Sequence, residues 1–405
     1  MGLTSLGKIE NRRWWTGVFL AALAIRLLWL VVWEAKGLSA RLGFDPYLTI
    51  ALYWHGWGPQ WLDVTHPPLF PMWIYLLFSV LGRPWWLAIQ LANGLFSAAS
   101  CVALGFWAEG VLAGRPQARL LARLAGLWAA FDPLLVFFSI QLQSEPFFVF
   151  LELLFFLALL KRPSALSAFG IGVLGGLVSL ARSVFGLFAA PLSLALWWRD
   201  RKAPRAWLWA LVCAGWILAP ALWGARNKAK HGTFIPLAIN GGWNLWEGFT
   251  LDRDEVRRRP LEMSREAAAA GLDIRNAIAC GEYFAAKTKA FVREHPLSAA
   301  KIVAGKFFLY WRPWPYDPHQ RGVRAALAVY FSVLFVLAAL GAWTLKDCPA
   351  LAPVWALFLY LSALHSVFFT SLRYRSPLEP FLCFFAAAGL LRLLGRSADA
   401  PSVDS

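Results

Sequence analysis

The chain has 405 residues, 59% of them hydrophobic and 15% charged, with a mean hydropathy of +0.54. A soluble domain carries roughly 45–50% apolar and about 25% charged residues, so the composition excludes a soluble globular protein and indicates an integral membrane one. The net charge of +16 does not point to nucleic acid: the basic residues sit in loops flanking apolar segments, where they orient helices and meet anionic lipid.

The apolar runs are long and lack strand-like alternation, so the expected fold is an all-α polytopic bundle and not a barrel. A span needs about 20 residues. Ten are expected, at 14–33, 84–112, 118–140, 145–161, 165–181, 183–198, 205–225, 322–345, 350–370 and 376–395. The first follows Lys8, Arg12 and Arg13 with no small-residue cleavage site, and reads as a retained span. The segment 67–82 is apolar but opens with Pro67, Pro68 and Pro71. It would reach only about 24 Å, against a hydrocarbon core of about 30 Å.

Short loops rich in Lys and Arg belong on the cytoplasmic side. Those loops are the N-terminus, Arg115/Arg119, Lys161/Arg162, Arg199/Arg201/Lys202/Arg205, Lys346 and Arg392/Arg396. They share one side only if 67–82 does not cross, so that segment is expected to lie in or dip into the outer leaflet. A split of 118–140 at Asp132-Pro133 is the other way to reconcile the charges. Residues 1–225 then form a transmembrane module with a first outer loop at 34–83. Residues 226–321 form an outer-face region, 322–396 the last spans, and 397–405 a disordered tail. Within the outer region 252–270 and 273–294 read as helices. The stretch 297–311, interrupted by Lys301 and Lys306, suits a helix lying along the membrane. Of the five cysteines only Cys280 falls in the large outer loop, so no disulfide framework is indicated.

Chemistry-bearing residues concentrate on the outer face. In the first outer loop Asp45, His55, Asp63 and His66 stand among Tyr47, Tyr53, Trp54, Trp57 and Trp61. Asp45-Pro46 is a good helix start, and Asp45 is equally placed as a general base at the membrane surface. Asp63 and His66, with Asp45 or His55, offer ligands to a divalent metal; the other role for His66 is a hydrogen bond to a bound anion or to the loop backbone. Glu145, in Ser144-Glu145-Pro146, is both a helix-start residue and a carboxylate at a membrane boundary. Glu152 lies deeper on the same helix and needs a partner. Arg182 is suited to a phosphate, of lipid or of substrate. Arg226-Asn227 and the run Asn240-Gly241-Gly242-Trp243-Asn244-Leu245-Trp246 combine amides, glycines and indoles that suit a sugar. Arg373-Tyr374-Arg375 puts two guanidinium groups in a short outer loop, against the positive-inside bias, which favours a bound anion.

These pieces together resemble the GT-C superfamily of membrane glycosyltransferases, and most closely its bacterial branch related to protein O-mannosyltransferases and lipid A aminoarabinose transferases. The carriers are the Asp45 loop, Thr65-His66-Pro67-Pro68-Leu69, Ser144-Glu145-Pro146, Arg226-Asn227 with Asn240–Trp246, His295-Pro296 and Arg373-Tyr374-Arg375-x-Pro377, in the family's order over residues 14–395. The resemblance implies a hexosyl-type transfer from a polyprenyl-phosphate sugar donor to a glycan, lipid or protein acceptor, on the outer face of the cytoplasmic membrane. It implies Asp45 as catalytic base. Many relatives carry a second acid directly after that Asp; here Pro46 stands there, so a paired-acid metal site is not implied. The competing class is a lipid-linked-sugar transporter or flippase. Transporters place polar groups near the bilayer midplane, often within inverted repeats, whereas these groups gather at one face and no repeat is visible.

Overall fold

The computed structural model describes residues 3–37, 46–57, 63–160, 164–202, 207–250, 259–314 and 321–396. Among them there is no strand. The helices in order are α1 (Leu3–Ala35), α2 (Pro46–Trp54), α3 (Leu69–Leu81), α4 (Trp86–Val111), α5 (Ala118–Phe131), α6 (Pro133–Phe138), α7 (Glu145–Ala158), α8 (Ala165–Ala181) and α9 (Ala189–Asp200). Then follow α10 (Leu208–His231), α11 (Gly241–Thr250), α12 (Arg259–Ala269), α13 (Ala277–Glu294), α14 (Pro296–Tyr310), α15 (Arg321–Thr344), α16 (Ala352–Val367) and α17 (Glu379–Leu393).

By length and composition, five of the expected spans fall in helices able to cross a membrane on their own, in α1, α4, α10, α15 and the stretch Pro349–Val367 that contains α16. The other five are shorter or interrupted. Asp132 ends α5 and caps α6, its Oδ1 accepting from the backbone N–H groups of Leu134 and Leu135 at 3.0 and 2.9 Å. The expected span 183–198 opens as a 3-10 helix, Ser183–Phe188, before α9. α7 has 14 residues and α17 has 15. Both are largely buried by neighbouring helices, so protein and not lipid surrounds the backbone at their ends. α3 has 13 residues, about 20 Å of helix, and packs on α2.

Two helix pairs approach closely at glycine. α8 lies along α10, where a Cβ on Gly172 would sit 2.0 Å from the Val212 carbonyl oxygen. α15 lies along α17, where a Cβ on Gly341 would sit 1.8 Å from the Phe385 oxygen and one on Gly389 2.0 Å from the Leu337 oxygen. Small residues let backbones touch where lipid supplies no hydrophobic drive for helix association.

Outside the bundle α11, α12 and α13 share a small core of Trp246, Met263, Ala267, Cys280 and Phe284. Two expected boundaries move. The 273–294 helix begins at Ala277, because the Asn276 side chain caps it by accepting from Ala279 N–H at 3.1 Å. α10 continues past residue 225 to His231 and ends at Gly232, whose φ of 75° is the left-handed turn that glycine adopts freely. The first part of the expected 252–270 helix lies outside the described residues, as does Asp45.

Gly341→Ala is expected to destabilise the bundle by about 1–3 kcal/mol through overpacking. Gly170→Ala, at a helix position with open space beside it, is expected to leave stability unchanged or raise it slightly. Thermal denaturation of the purified variants checks the contrast.

Candidate functional site

The site is assembled at one end of the bundle from three distant parts of the chain. Asn93, buried on α4, donates to the carbonyl oxygens of Gln141 and Gln143 at 2.6 and 3.1 Å, fixing the turn that leads into α7. Glu145 opens α7, with Pro146 in its first turn, where the positive end of the helix dipole favours a carboxylate. Its side chain does no capping. Glu145 Oε1 accepts from Arg182 Nη1 at 2.5 Å and from Arg373 Nε. Arg182 is held at the end of α8 in extended backbone, its N–H bonded to Val178 O. Arg373 sits on the single 3-10 turn Leu372–Arg375.

Glu145 is 1% exposed, Arg182 5% and Arg373 27%, so one buried carboxylate meets one buried and one partly exposed guanidinium group with a net positive charge. Among the described residues Glu145 Oε2 is buried without a hydrogen-bond partner. Aromatic rings complete the setting. Arg182 lies over Phe148 at 5.7 Å and over Tyr374 at 5.5 Å. Tyr374 stacks on His365 at 4.7 Å, and His365 stacks on Tyr310 at 5.3 Å. The Tyr310 hydroxyl donates back to the Tyr374 carbonyl at 3.2 Å.

The first outer loop reaches this cluster through His66 and Tyr47, whose rings meet edge to face at 5.0 Å. His66 Nδ1 pairs with the Thr65 hydroxyl at 3.1 Å, not with loop backbone. Burial, with the Arg373 charge nearby, pushes its imidazole down to about 4, so it is neutral at physiological pH. Tyr47 is buried within electrostatic reach of Arg182, Arg373 and Glu145.

Asp63 belongs to a separate clasp. Arg226 grips it with two contacts, Nη1 to Oδ2 at 2.7 Å and Nη2 to Oδ1 at 3.1 Å. Lys230 Nζ, His231 Nε2 and Trp54 Nε1 add contacts at 2.9, 3.0 and 2.6 Å. Burial alone would raise the Asp63 acid; the hydrogen bonds from Arg226, Lys230, Trp54 and His231 outweigh it and hold the carboxyl well below the usual carboxylate range. The clasp ties residue 63 to the last turns of α10, where Asn227 also donates to Ile235 O at 2.8 Å. Ile239 N–H donates to Val64 O at 3.1 Å beside it. A divalent metal does not fit Asp63, because its oxygens already face cationic and N–H donors. His55 is turned away, its Nε2 on Tyr75 O at 3.1 Å and its ring stacked on Trp57. Among the described residues no three His, Cys, Asp or Glu side chains form a metal-binding group.

Three further expectations resolve differently. Arg375 does not join Arg373. It is fully buried, bonded to Glu379 at 3.0 Å and to Arg312 O at 3.0 Å, with Phe331 and Phe335 rings over its guanidinium. Trp243 packs against Phe284 at 4.9 Å in the small outer core and is engaged in packing, while Asn240 contributes its carbonyl to Asn244 N–H at the start of α11. α11 itself covers the end of α16: Gly248 lies against the Phe368 backbone, and Glu247 is within electrostatic reach of Tyr374. Glu152, fully buried on α7, has no hydrogen bond to either carboxylate oxygen among the described residues; Arg182 is a charged neighbour.

Sequence reasoning passed over three members of this region. Tyr310 and His365 are aromatic residues inside apolar runs, with nothing local to mark them. Lys306 was noted only as an interruption. It is buried, donates to the Val367 and Phe368 carbonyls at 2.6 and 3.2 Å, and burial pulls its amine down to about 7.

No family model matches the sequence, and no curated protein matches it. Among solved structures the chain is similar to the archaeal oligosaccharyltransferase AglB from Archaeoglobus fulgidus in complex with an inhibitory peptide and a dolichol-phosphate, with a TM-score of 0.55 and 11% identity over 98% of this chain and 53% of that one. It is also similar to the Archaeoglobus fulgidus oligosaccharyltransferase tethered with an acceptor peptide containing the NVT sequon via a disulfide bond. There the TM-score is 0.55 and the identity 11%, over 97% of this chain and 51% of that one. The chain thus spans about half the length of these proteins. The likeness is one of fold: an all-α, multi-pass membrane protein that shares its architecture with these two structures.

Asp63→Asn is expected to cost roughly 1–2 kcal/mol at neutral pH, less than the loss of a fully buried ion pair because Arg226 and Lys230 are partly solvated. The folded-state acid lies below its ordinary value of 3.8, so this stabilisation is present above that value and is lost as the pH falls through the folded one. The gap in denaturation midpoint between wild type and variant should therefore narrow as the pH drops below 3.8.

Proposed function

We propose that the protein transfers a sugar from a polyprenyl-phosphate-linked donor to an acceptor hydroxyl on the outer face of the cytoplasmic membrane. The observation that carries the proposal is the convergence of Arg182 and Arg373 on one oxygen of Glu145, with a net positive charge in a largely buried setting. Guanidinium pairs of this kind match a phosphate in charge and geometry. The shared fold with a protein solved with dolichol-phosphate supports a lipid-phosphate ligand. Kinship with the protein O-mannosyltransferase and aminoarabinose transferase branch is part of the same reading and rests on the order of the motifs.

In this reading the acceptor oxygen attacks the anomeric carbon and its proton passes to the Asp45 carboxylate. The bond from that carbon to the phosphate oxygen breaks, and the lipid phosphate leaves with one more negative charge than it carried as a diester. Arg182 and Arg373 are aimed at the atom group where that charge grows, which is where fixed donors accelerate a reaction most. The donor phosphate competes with Glu145 for them. Tyr47, two residues along the chain from Asp45, is within electrostatic reach of the same arginines. Tyr374 and His66 flank the arginine pair, and neutral His66 donates or accepts a hydrogen bond without adding charge. Asn244, on the helix that covers α16, is available to sugar hydroxyls. Asp63 and Arg226 hold the loop in place and take no part in the chemistry, and Arg375 anchors the Leu372–Arg375 turn from below.

In membrane vesicles supplied with a radiolabelled polyprenyl-phosphate sugar, Asp45→Asn is expected to lower transfer by about 10²-fold or more. Arg373→Gln is expected to lower it by roughly 10²–10³-fold. Full activity in the first variant removes Asp45 as base; full activity in the second removes the phosphate site.

A further inference from the structure

At the end of the bundle opposite Glu145, α1, α4, α5 and α7 enclose a groove of about 980 Å³. Its position follows from helix direction. α7 runs inward from Glu145, and the start of α1 meets the far ends of α4 and the near part of α5, with Trp15 against Gly105 and Gly126. The groove's wall is apolar, formed by Trp15, Phe19, Phe106, Phe150, Leu154 and Leu157. Arg12 and Arg119 stand at its rim.

The arrangement is ordered along the helix axis. Arg12, Trp15 and Phe19 fall on one face of α1, and the seven residue steps from the first to the last cover about 10 Å. Cations therefore lie at one level and an apolar wall extends from them into the bundle. Phe106 is 44% exposed, so the groove opens sideways, toward the surface that a bilayer covers. Of the acids nearby, one is paired and one is partly engaged, since Glu109 Oε1 has no hydrogen-bond partner among the described residues and Glu109 lines a second recess with Arg119. Glu10 pairs with Arg123 at 3.0 Å, and Glu109 accepts from Asn11 at 3.4 Å. Arg12 and Arg119 are exposed and make no ion pair among the described residues.

We infer that this groove is a binding site for an anionic phospholipid of the surrounding membrane, held in the leaflet opposite the candidate transfer site. The headgroup phosphate lies between Arg12 and Arg119, and an acyl chain runs along the aromatic wall parallel to α1 and α7. Charge favours this occupant over a zwitterionic lipid: two guanidinium groups face a phosphate with no cation of its own to repel. Basic recesses between transmembrane helices are suited to such headgroups. The polyprenyl donor is a different case, because its phosphate is assigned to the other end of the bundle. The groove therefore holds a structural lipid that braces α1 against α4 and α7, and it stands or falls independently of the transfer reaction.

The test uses the full-length protein purified in a neutral detergent and titrated separately with phosphatidylglycerol, phosphatidylcholine and polyprenyl monophosphate, with native mass spectrometry counting bound molecules. Wild type is expected to take up one phosphatidylglycerol at least about tenfold more tightly than phosphatidylcholine. The double variant Arg12→Gln/Arg119→Gln is expected to lose that preference, while Arg396→Gln keeps it. Ala99→Leu, which fills the groove and leaves both arginines in place, is expected to weaken phosphatidylglycerol binding as well; Ala99 lines the groove. Each variant is first shown to be monodisperse by gel filtration. Equal binding of both phospholipids overturns the inference, as does an unchanged preference in the double variant. Polyprenyl monophosphate binding that depends on Arg12 and Arg119 also overturns it.

Discussion

Two guanidinium groups share one carboxylate oxygen at one end of this bundle, and much of the surrounding structure holds them there. Glu145, Arg182 and Arg373 are brought in by a helix start, a helix end and a short 3-10 turn. Taking such charges out of water costs several kcal/mol per ion, and their attraction offsets that only with good geometry. One carboxylate cannot fully compensate two arginines. That surplus positive charge is what the proposed phosphate site rests on, and the stacked column Tyr374–His365–Tyr310 with the buried Arg375–Glu379 pair keeps the turn that carries Arg373 in place.

The two acids Asp63 and Glu145 differ because their surroundings differ. Asp63 receives donors from Arg226, Lys230, His231 and Trp54, so little of its capacity to accept remains, and it serves as a fastener between the first outer loop and α10. Glu145 keeps one oxygen without a hydrogen-bond partner among the described residues, while its other oxygen holds both arginines. The loop between them thus has a fixed end at Asp63 and, three residues on, a neutral His66 beside the arginine cluster. That division explains how a loop can be anchored by charge and still leave charge available to a ligand.

Much of the fold was legible because membrane physics writes it into composition. Long apolar runs gave the helices, and Asp132-Pro133 announced the break that Asp132 then caps. Local grammar failed where a partner lay far along the chain. Arg373 and Arg375 look alike in sequence, yet a 3-10 turn sends one toward Glu145 and the other into the bundle toward Glu379. Trp243 reads as a sugar platform in isolation, but Phe284, on α13, claims its ring. Lys230 and His231 seemed to be loop residues because the apolar pattern of α10 fades before the helix does. Polar groups are also less confined to one face than the sequence suggested: Arg26, Glu152 and Asp132 are buried among the helices. Arg26 settles on the Ser97 hydroxyl and on the Ala22 and Ala130 carbonyls.

The claim that Arg182 and Arg373 hold the donor phosphate is tested most directly by a structure of the protein with a non-cleavable polyprenyl-phosphonate sugar. The account predicts phosphonate oxygens within hydrogen-bond distance of both arginines, with Glu145 displaced from at least one of them. A phosphonate seated instead on Arg226 and Lys230, with the Glu145 contacts intact, would contradict it.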